Sequence, residues 1–269
     1  MKQINLRAHF KYIVRKIRFS SKKVFWSLKY YGFDLTILGL FLQLLSFMGK
    51  NLTSTHWYKT ITSSRFDKRF RVDTAGYIIP EELDISIHRK QTAVQYQPTA
   101  SVTFPVVISE LPINYSDYVF IDYGSGKGRS LLLASHFPFK QIIGVELSNK
   151  LHQIAEKNMA SFLKRQVKCR NRVSVCEDAT AFNLPKENLI IYFFRPFNRE
   201  ILTLVLNNIR RSLEECFRHI IILYYYPEQR NLFSGIDYLR KINLGIEDRR
   251  WEIYESIPGG GWELHRNPG

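Results

Sequence analysis

The sequence predicts an α/β chain in which a helical N-terminal arm precedes a Rossmann-like, mostly parallel sheet of about seven strands ending in an antiparallel hairpin. Three observations point there. From Tyr118 onward, short apolar runs alternate with segments of helical period. A cluster of glycines follows the first of these runs. The last two extended pieces are joined by Glu247 to Arg250 alone, enough for a hairpin and too little for a parallel crossover. With 269 residues, 45% of them hydrophobic and 14% aromatic, the chain has material for a full core, which excludes a disordered or fibrous protein. The expected organisation is a basic helical arm over residues 1–60, a pre-core segment over 61–110 and the α/β domain over 111–269.

The formal net charge of +15 lies almost wholly in the arm. Residues 1–72 carry 15 Lys and Arg against two acids, Asp34 and Asp67, whereas the remainder is nearly neutral with 24 basic and 22 acidic side chains. A fold that wraps duplex nucleic acid carries its basic surface on the folded core, so a duplex partner is not expected. Drawn as a helix, residues 6–28 align Leu6, Phe10, Ile13, Ile17, Val24 and Leu28 in an interrupted apolar stripe beside a basic stripe of Arg7, Lys11, Arg15, Arg18 and Lys22. Such a helix either lies on an anionic membrane surface, which residues 1–50 would contact, or packs on the core with its charges solvated.

Leu35 to Gly49 are 15 uncharged residues. As a helix they would cover about 22 Å against a hydrocarbon core of about 30 Å, too short to span. Thr36, Gly39, Gln43 and Ser46 make one face less apolar, a pattern for packing or half-immersion. The long basic stretch before this run and the lack of a small-residue cleavage site after it fit a signal peptide poorly. Cys169, Cys176 and Cys216 show no metal-ligand spacing and are odd in number, so neither a metal site nor a disulfide framework is expected. The expected setting is cytoplasmic, with peripheral attachment to the inner face of the membrane if the arm binds lipid.

In the α/β domain, Tyr118 to Tyr123 is a strand carrying Asp122 near its end, followed by Gly124, Ser125, Gly126, Lys127 and Gly128 and a helix from Arg129 to His136. Gln141 to Leu147 is the second strand, with Glu146 near its end, before a helix over Asn149 to Gln166. Val173 to Cys176 leads into Glu177, Asp178 and Ala179; Leu189 to Phe194 leads into Arg195, Pro196 and Phe197, then a helix over Asn198 to Cys216. His219 to Tyr226 is the fifth strand, and Arg240 to Ile246 with Trp251 to Ser256 close the sheet. In such sheets ligands sit beyond the carboxyl ends of the strands.

Glycines between a strand and a helix let the backbone approach a ligand closely, and the free N–H groups of a helix start attract an anionic group. The triphosphatase loop needs four residues between its first glycine and a Gly-Lys-Ser/Thr ending, but Gly128 is followed by Arg129. The dinucleotide fingerprint G-x-G-x-x-G fails because the third glycine comes one residue early, which disfavours NAD-dependent reduction. Glu146, 22 residues after Gly124, is placed to accept ribose hydroxyl protons, and Asp178 adds an acceptor suited to an exocyclic adenine amine. Two acids without a phosphate-binding lysine cluster favour an adenosine ligand that lacks a phosphate chain.

FIDYGSGKGR (Phe120 to Arg129) and GVELS (Gly144 to Ser148), set in this order of elements from about Tyr118 to Ser256, resemble class I S-adenosylmethionine-dependent methyltransferases. Upstream, FDKRFRVDTAGYI (Phe66 to Ile78) and YQP (Tyr96 to Pro98) look like a bacterial branch of that family. The resemblance implies S-adenosylmethionine as cofactor. Gly124, Ser125, Gly126 and Gly128 would shape the methionine pocket, Asp122 would hold the amino group, Glu146 the ribose, and Asp178 with Ala179 would border the adenine. By the same resemblance Arg195, Pro196 and Phe197 face the acceptor and Tyr96 is a lid residue. Members of the branch commonly show Asn-Pro-Phe there, the Asn oxygen accepting from an amine to be methylated. Arginine has donors only, and its charge repels an ammonium.

Plainer roles stand beside these: the glycines as a tight turn, Glu146 as a helix cap beside Ser148, Asp178 as a turn former, Tyr96 as a packed tyrosine. Lys127 and Arg129 are expected as solvated charges, and Arg195 as solvent-facing or paired with Glu200. Tyr224, Tyr225 and Tyr226 either line an acceptor pocket or pack. The leading expectation is an S-adenosylmethionine-dependent methyltransferase acting on an unidentified acceptor, with no catalytic residue assigned. The alternative is a membrane-associated cofactor-binding protein with a degenerate catalytic site.

Overall fold

The computed structural model describes residues 6–45, 56–162, 167–246 and 248–258. Seven strands form one sheet: β1 (Tyr118–Tyr123), β2 (Gln141–Glu146), β3 (Arg172–Cys176), β4 (Asn188–Phe194), β5 (Ile220–Tyr225), β6 (Leu239–Ile242) and β7 (Trp251–Ser256), in the order β3-β2-β1-β4-β5-β7-β6. The first five run parallel; β7 pairs antiparallel with both β5 and β6. The expected closing hairpin is therefore present, β7 inserted between β5 and β6. Reversal of strand order beside β1 opens a crevice at the carboxyl ends of β1 and β4.

β1 and β5 are buried at every position, and β4 at all but its ends, as near-continuous apolar runs require when both faces of a parallel sheet are covered. Alternation splits the core in two: Phe120, Ile190 and Tyr192 face one cluster, while Val119, Ile121, Leu189, Ile191 and Phe193 face the other. The second face is covered by α8 (Arg199–Glu215), which buries Leu202, Val205 and Ile209 and starts where the Asn198 side chain accepts from Ile201 N at 3.0 Å. The first face carries α5 (Thr103–Ile108), α6 (Arg129–Ala134) and α7 (Asn149–Ser161), the last capped by Ser148. The final part of the predicted second-strand helix, residues 163–166, lies outside the described residues.

The arm forms α1 (Leu6–Tyr31), α2 (Phe33–Leu45) and α3 (His56–Phe70). α1 joins the first face through Phe19, Trp26 and Tyr30 rather than through the predicted stripe. Trp26 stacks on Tyr30 at 5.2 Å and reaches His136 and Phe137, while Tyr30 meets Phe66 and Phe70. Of the predicted stripe, Phe10, Ile17 and Leu28 are exposed and Val24 is half-buried; Leu6 and Ile13 have side chains outside those described. Trp26 and Tyr30 bury more area than Ile or Val side chains can, and that decides which side faces inward. Between arm and sheet, α4 (Ile87–Thr92) and its flanks cross the crevice, held by bridges Ile78 to Tyr96 and Ala93 to Phe197.

Candidate functional site

At the carboxyl end of β1 the chain turns through Gly124, Gly126 and Gly128, all with positive φ (+77°, +54°, +80°). The amides of Gly124 and Ser125 donate to Val145 O at 2.9 and 3.1 Å, pinning the loop over β2. At Gly126 an added Cβ would lie 2.4 Å from the Tyr96 ring, and at Gly124 it would lie 3.2 Å from Pro196 Cβ. The bare backbone thus lets the pre-core tyrosine and the Pro196 turn after β4 close on the loop. Gly128 does not line the crevice; it caps α6 in the left-handed conformation, and a Cβ there would meet Ala155 at 3.0 Å.

The crevice is lined by Asp122, Gly124, Ser125, Gly126, Glu146 and Asp178, with Ala179 and Glu177 beside them. Seven of the eight residues expected to hold a cofactor therefore meet in one place. Glu146 Oε2 accepts from Gly126 N at 2.8 Å and Oε1 from Ser148 N at 2.9 Å, tying the end of β2 to the glycine loop. Burial pushes its carboxyl up, opposed by these backbone N–H groups. Asp122 is also buried, bonded to the Ser130 hydroxyl, and sits at about 7: burial raises it, the Ser130 hydrogen bond opposes this, and the Glu146 charge adds to the rise. Asp178 folds back on Thr180, whose N and Oγ1 donate to Oδ1 at 2.9 and 2.8 Å, and its Oδ2 is paired with Arg89 from α4. Ser125 Oγ is buried with no partner among the described residues.

The residues expected to face an acceptor, Tyr96, Arg195, Pro196 and Phe197, all line the same crevice. Tyr96 donates from its hydroxyl to Thr74 O at 2.7 Å, and burial holds that phenol above its usual range. Arg195 adopts φ +43°, donates to Glu228 Oε1 at 2.9 Å and reaches Gln97 Oε1 at 3.4 Å. Its partner is thus Glu228 and not Glu200, because the left-handed backbone turns the side chain toward the loop after β5. Lys127 and Arg129 are buried rather than solvated. Lys127 Nζ pairs with Asp73 at 2.8 Å, and Arg129 pairs with Asp67 at 3.0 Å while also donating to Ser63 and Thr74. Both fasten residues 63–75 to the glycine loop.

A second cavity, of about 410 Å³, lies between the arm and the sheet and shares Gln97, Thr99, Arg129 and Phe194 with the crevice as a common wall. Tyr225 and Tyr226 line it, whereas Tyr224 packs and accepts from Gln229 N. Among the described residues its lining includes Lys23, Lys59, Arg129 and Arg250 and no carboxylate, whereas the crevice has four: Asp122, Glu146, Glu177 and Asp178. Arg89, Gln97 and Thr99 escaped the sequence reading. Gln97 lies inside the quoted YQP motif, but nothing in the local pattern of Arg89 marks a residue that reaches Asp178.

A family model described as "Histone methylation protein DOT1" matches residues 78–171, less than half of the chain. No curated protein matches it. Among solved structures, the ribosomal protein L11 methylase from Lactobacillus delbrueckii subsp. bulgaricus is 15% identical, with 60% of this chain and 89% of that one covered and a TM-score of 0.40. The precorrin-6y C5,15-methyltransferase from Geobacter metallireducens GS-15 is 17% identical (59% and 89% covered, TM-score 0.42). An RNA methyltransferase from Salinibacter ruber in complex with S-adenosyl-L-homocysteine is 18% identical (61% and 95% covered, TM-score 0.39).

Proposed function

In its matched segment and its seven-stranded sheet, the chain resembles class I S-adenosylmethionine-dependent methyltransferases, and we propose that it transfers a methyl group from S-adenosylmethionine to an oxygen-bearing acceptor. The carrying observation is the convergence of Asp122, the Gly124 to Gly126 turn, Glu146 and Asp178 on one crevice that shares a wall with a larger cavity. The residues fit the cofactor. The unpartnered Ser125 hydroxyl and the Asp122 carboxyl suit its amino-acid end, Glu146 its ribose and Asp178 its adenine amine. Each carboxylate oxygen accepts more than one hydrogen bond, so the partners already on Glu146 and Asp178 leave capacity for a ligand. The cofactor, when bound, supplies an electrophilic methyl group on a sulfonium. The chain's part is to hold donor and acceptor in line and exclude water.

The acceptor side argues against an amine. Arg195 stands where an acceptor oxygen would be needed for an ammonium, and among the described residues the adjoining cavity is lined by hydroxyls, lysines and ion-paired arginines without a carboxylate. Carried over from its match, a histone-type amine acceptor would find at Arg195 a side chain with donors only, its charge already paired with Glu228. Titrating the full chain with S-adenosylmethionine by calorimetry tests the first half of this reading: saturable heat is expected, and none would overturn it. Incubation with a radiolabelled methyl donor and fractionated lysate tests the second, with label expected in anionic or neutral small molecules.

The position of Arg195 gives a sharper check. Asparagine tolerates the left-handed backbone found there, the Glu228 side of the pair lost is exposed and the Arg195 Nε is buried without a partner among the described residues, so Arg195→Asn is expected to change stability by less than about 1 kcal/mol. Cofactor affinity should change little, while label moves toward amine-bearing fractions. Turnover appearing only in this variant would instead favour a native chain that binds the cofactor through a degenerate site.

A pH dependence follows from Asp122. With its carboxyl at about 7, the charged form that suits a cationic amino group is complete only above neutrality. Cofactor affinity is therefore expected to rise with pH through 7, with proton release on binding below it, and Asp122→Asn should flatten the profile. The ligand-free protein follows the opposite sign. A carboxyl raised by folding contributes stability that is complete below 3.8 and lost as the pH climbs through 7, which thermal melts across that range would detect.

A further inference from the structure

The arm has two apolar sides, and the fold uses one of them. On α1, Phe10, Val14, Ile17, Phe25 and Leu28 fall within about 80° of one another around the helix axis, and all are exposed, Phe10 at 68% and Ile17 at 64%. They lie opposite Phe19, Trp26 and Tyr30, which face the core. α2 repeats the arrangement: Phe33, Ile37, Leu40, Phe41 and Leu44 are exposed, Phe33 at 73%, opposite buried Leu35 and Leu42. On the neighbouring α3, Trp57 and Ile61, one turn apart, are exposed as well. A helix packed on a soluble core needs one apolar stripe, and single exposed apolar residues need no explanation. Stripes of them on consecutive helices do.

Charge selects what covers them. α1 carries eight Lys and Arg and no acid. The one acid of α2, Asp34, is bonded to Arg65 at 2.6 Å. Arg15, Lys16 and Arg18 are exposed on α1, and Arg18 lies at the edge of its apolar stripe. A second copy of this chain would bring cationic helix against cationic helix, whereas an anionic lipid surface satisfies the apolar and the basic groups together. No described helix is long and apolar enough to cross a membrane, and α2, at 13 residues, covers about 20 Å of a hydrocarbon core of about 30 Å. The geometry is that of helices lying in the interface plane.

We propose that helices α1 and α2 seat the protein on an anionic lipid bilayer, with their apolar stripes in the boundary between headgroups and acyl chains and the exposed Arg18 at the edge of the α1 stripe against lipid phosphate. The test is flotation of the full chain with vesicles of phosphatidylcholine alone or with about one-third phosphatidylglycerol. Flotation is expected with the anionic vesicles only and should weaken as salt is raised. The triple variant Phe10→Ser, Phe33→Ser, Phe41→Ser should lower the partition about a hundredfold. Because all three residues are exposed, its thermal melt should match that of the native chain. Reversing charge with Arg18→Glu should weaken anionic binding without changing the melt. Equal flotation of native and triple variant, or none with either vesicle, overturns the proposal. So does a concentration-dependent dimer of the native chain that the triple variant abolishes, since a second copy would then occupy the stripes.

Discussion

Arg129→Met is expected to lower the unfolding free energy by about 3–5 kcal/mol, seen as a fall in the urea midpoint with little change in slope. The guanidinium side chain is only 4% exposed. It donates to Thr74 Oγ1 and Ser63 Oγ, both at 2.6 Å, and to Asp67 at 3.0 Å, and it lies over the Phe66 ring. Asp67 in turn accepts from the amides of Thr74 and Ala75 at 2.7 and 2.6 Å. Removing the cation leaves a buried carboxylate held only by neutral donors and strands the Ser63 hydroxyl, while Thr74 Oγ1 keeps its bond to Asp67. Arg129→Lys keeps the charge but cannot reproduce the planar fork, so an intermediate loss is expected. Because Arg129 also stands in the wall between crevice and cavity, both variants should weaken cofactor binding. A loss under about 1 kcal/mol for the methionine variant would mean that the network is solvated rather than buried.

That network also marks where sequence reasoning ends. The strands were legible because parallel strands covered on both faces are written as unbroken apolar runs; LIIYFF at residues 189–194 admits little else. The crevice residues were legible for a related reason. A glycine turn after β1 and an acid at the end of β2 are placed side by side by the pairing of those two strands, with Asp122 opposite Gly144. The burial of Arg129 is not legible, because its partners lie more than fifty positions upstream and nothing local announces a contact of that range. Arg195 meets Glu228 for a similar reason, across two strand ends. α1 shows a different limit. Its two apolar faces have the same period, so periodicity alone does not say which packs, and the aromatic weight of Trp26 and Tyr30 is the signal that does.

Gly126→Ala should reduce affinity for S-adenosylmethionine by about a hundredfold or more, while Gly235→Ala, where an added Cβ meets nothing within 4 Å, should leave it unchanged. Two costs combine at Gly126. The backbone sits at φ +54°, where a residue with a Cβ pays about 1–2 kcal/mol. The new methyl would also lie 2.4 Å from the Tyr96 ring, so the loop or the tyrosine must move, at about 1–3 kcal/mol for overpacking. Tyr96 is held by its hydrogen bond to Thr74 O, which makes the glycine loop the part that yields. A shift there breaks the Gly126 N to Glu146 Oε2 bond and turns that carboxylate out of register with the crevice. The double variant with Tyr96→Ala separates the two costs: part of the affinity should return as the collision is relieved, and the remainder measures the backbone. If the alanine variant binds as tightly as the native chain, the glycine loop is a turn only, and the cofactor, if bound, is held elsewhere.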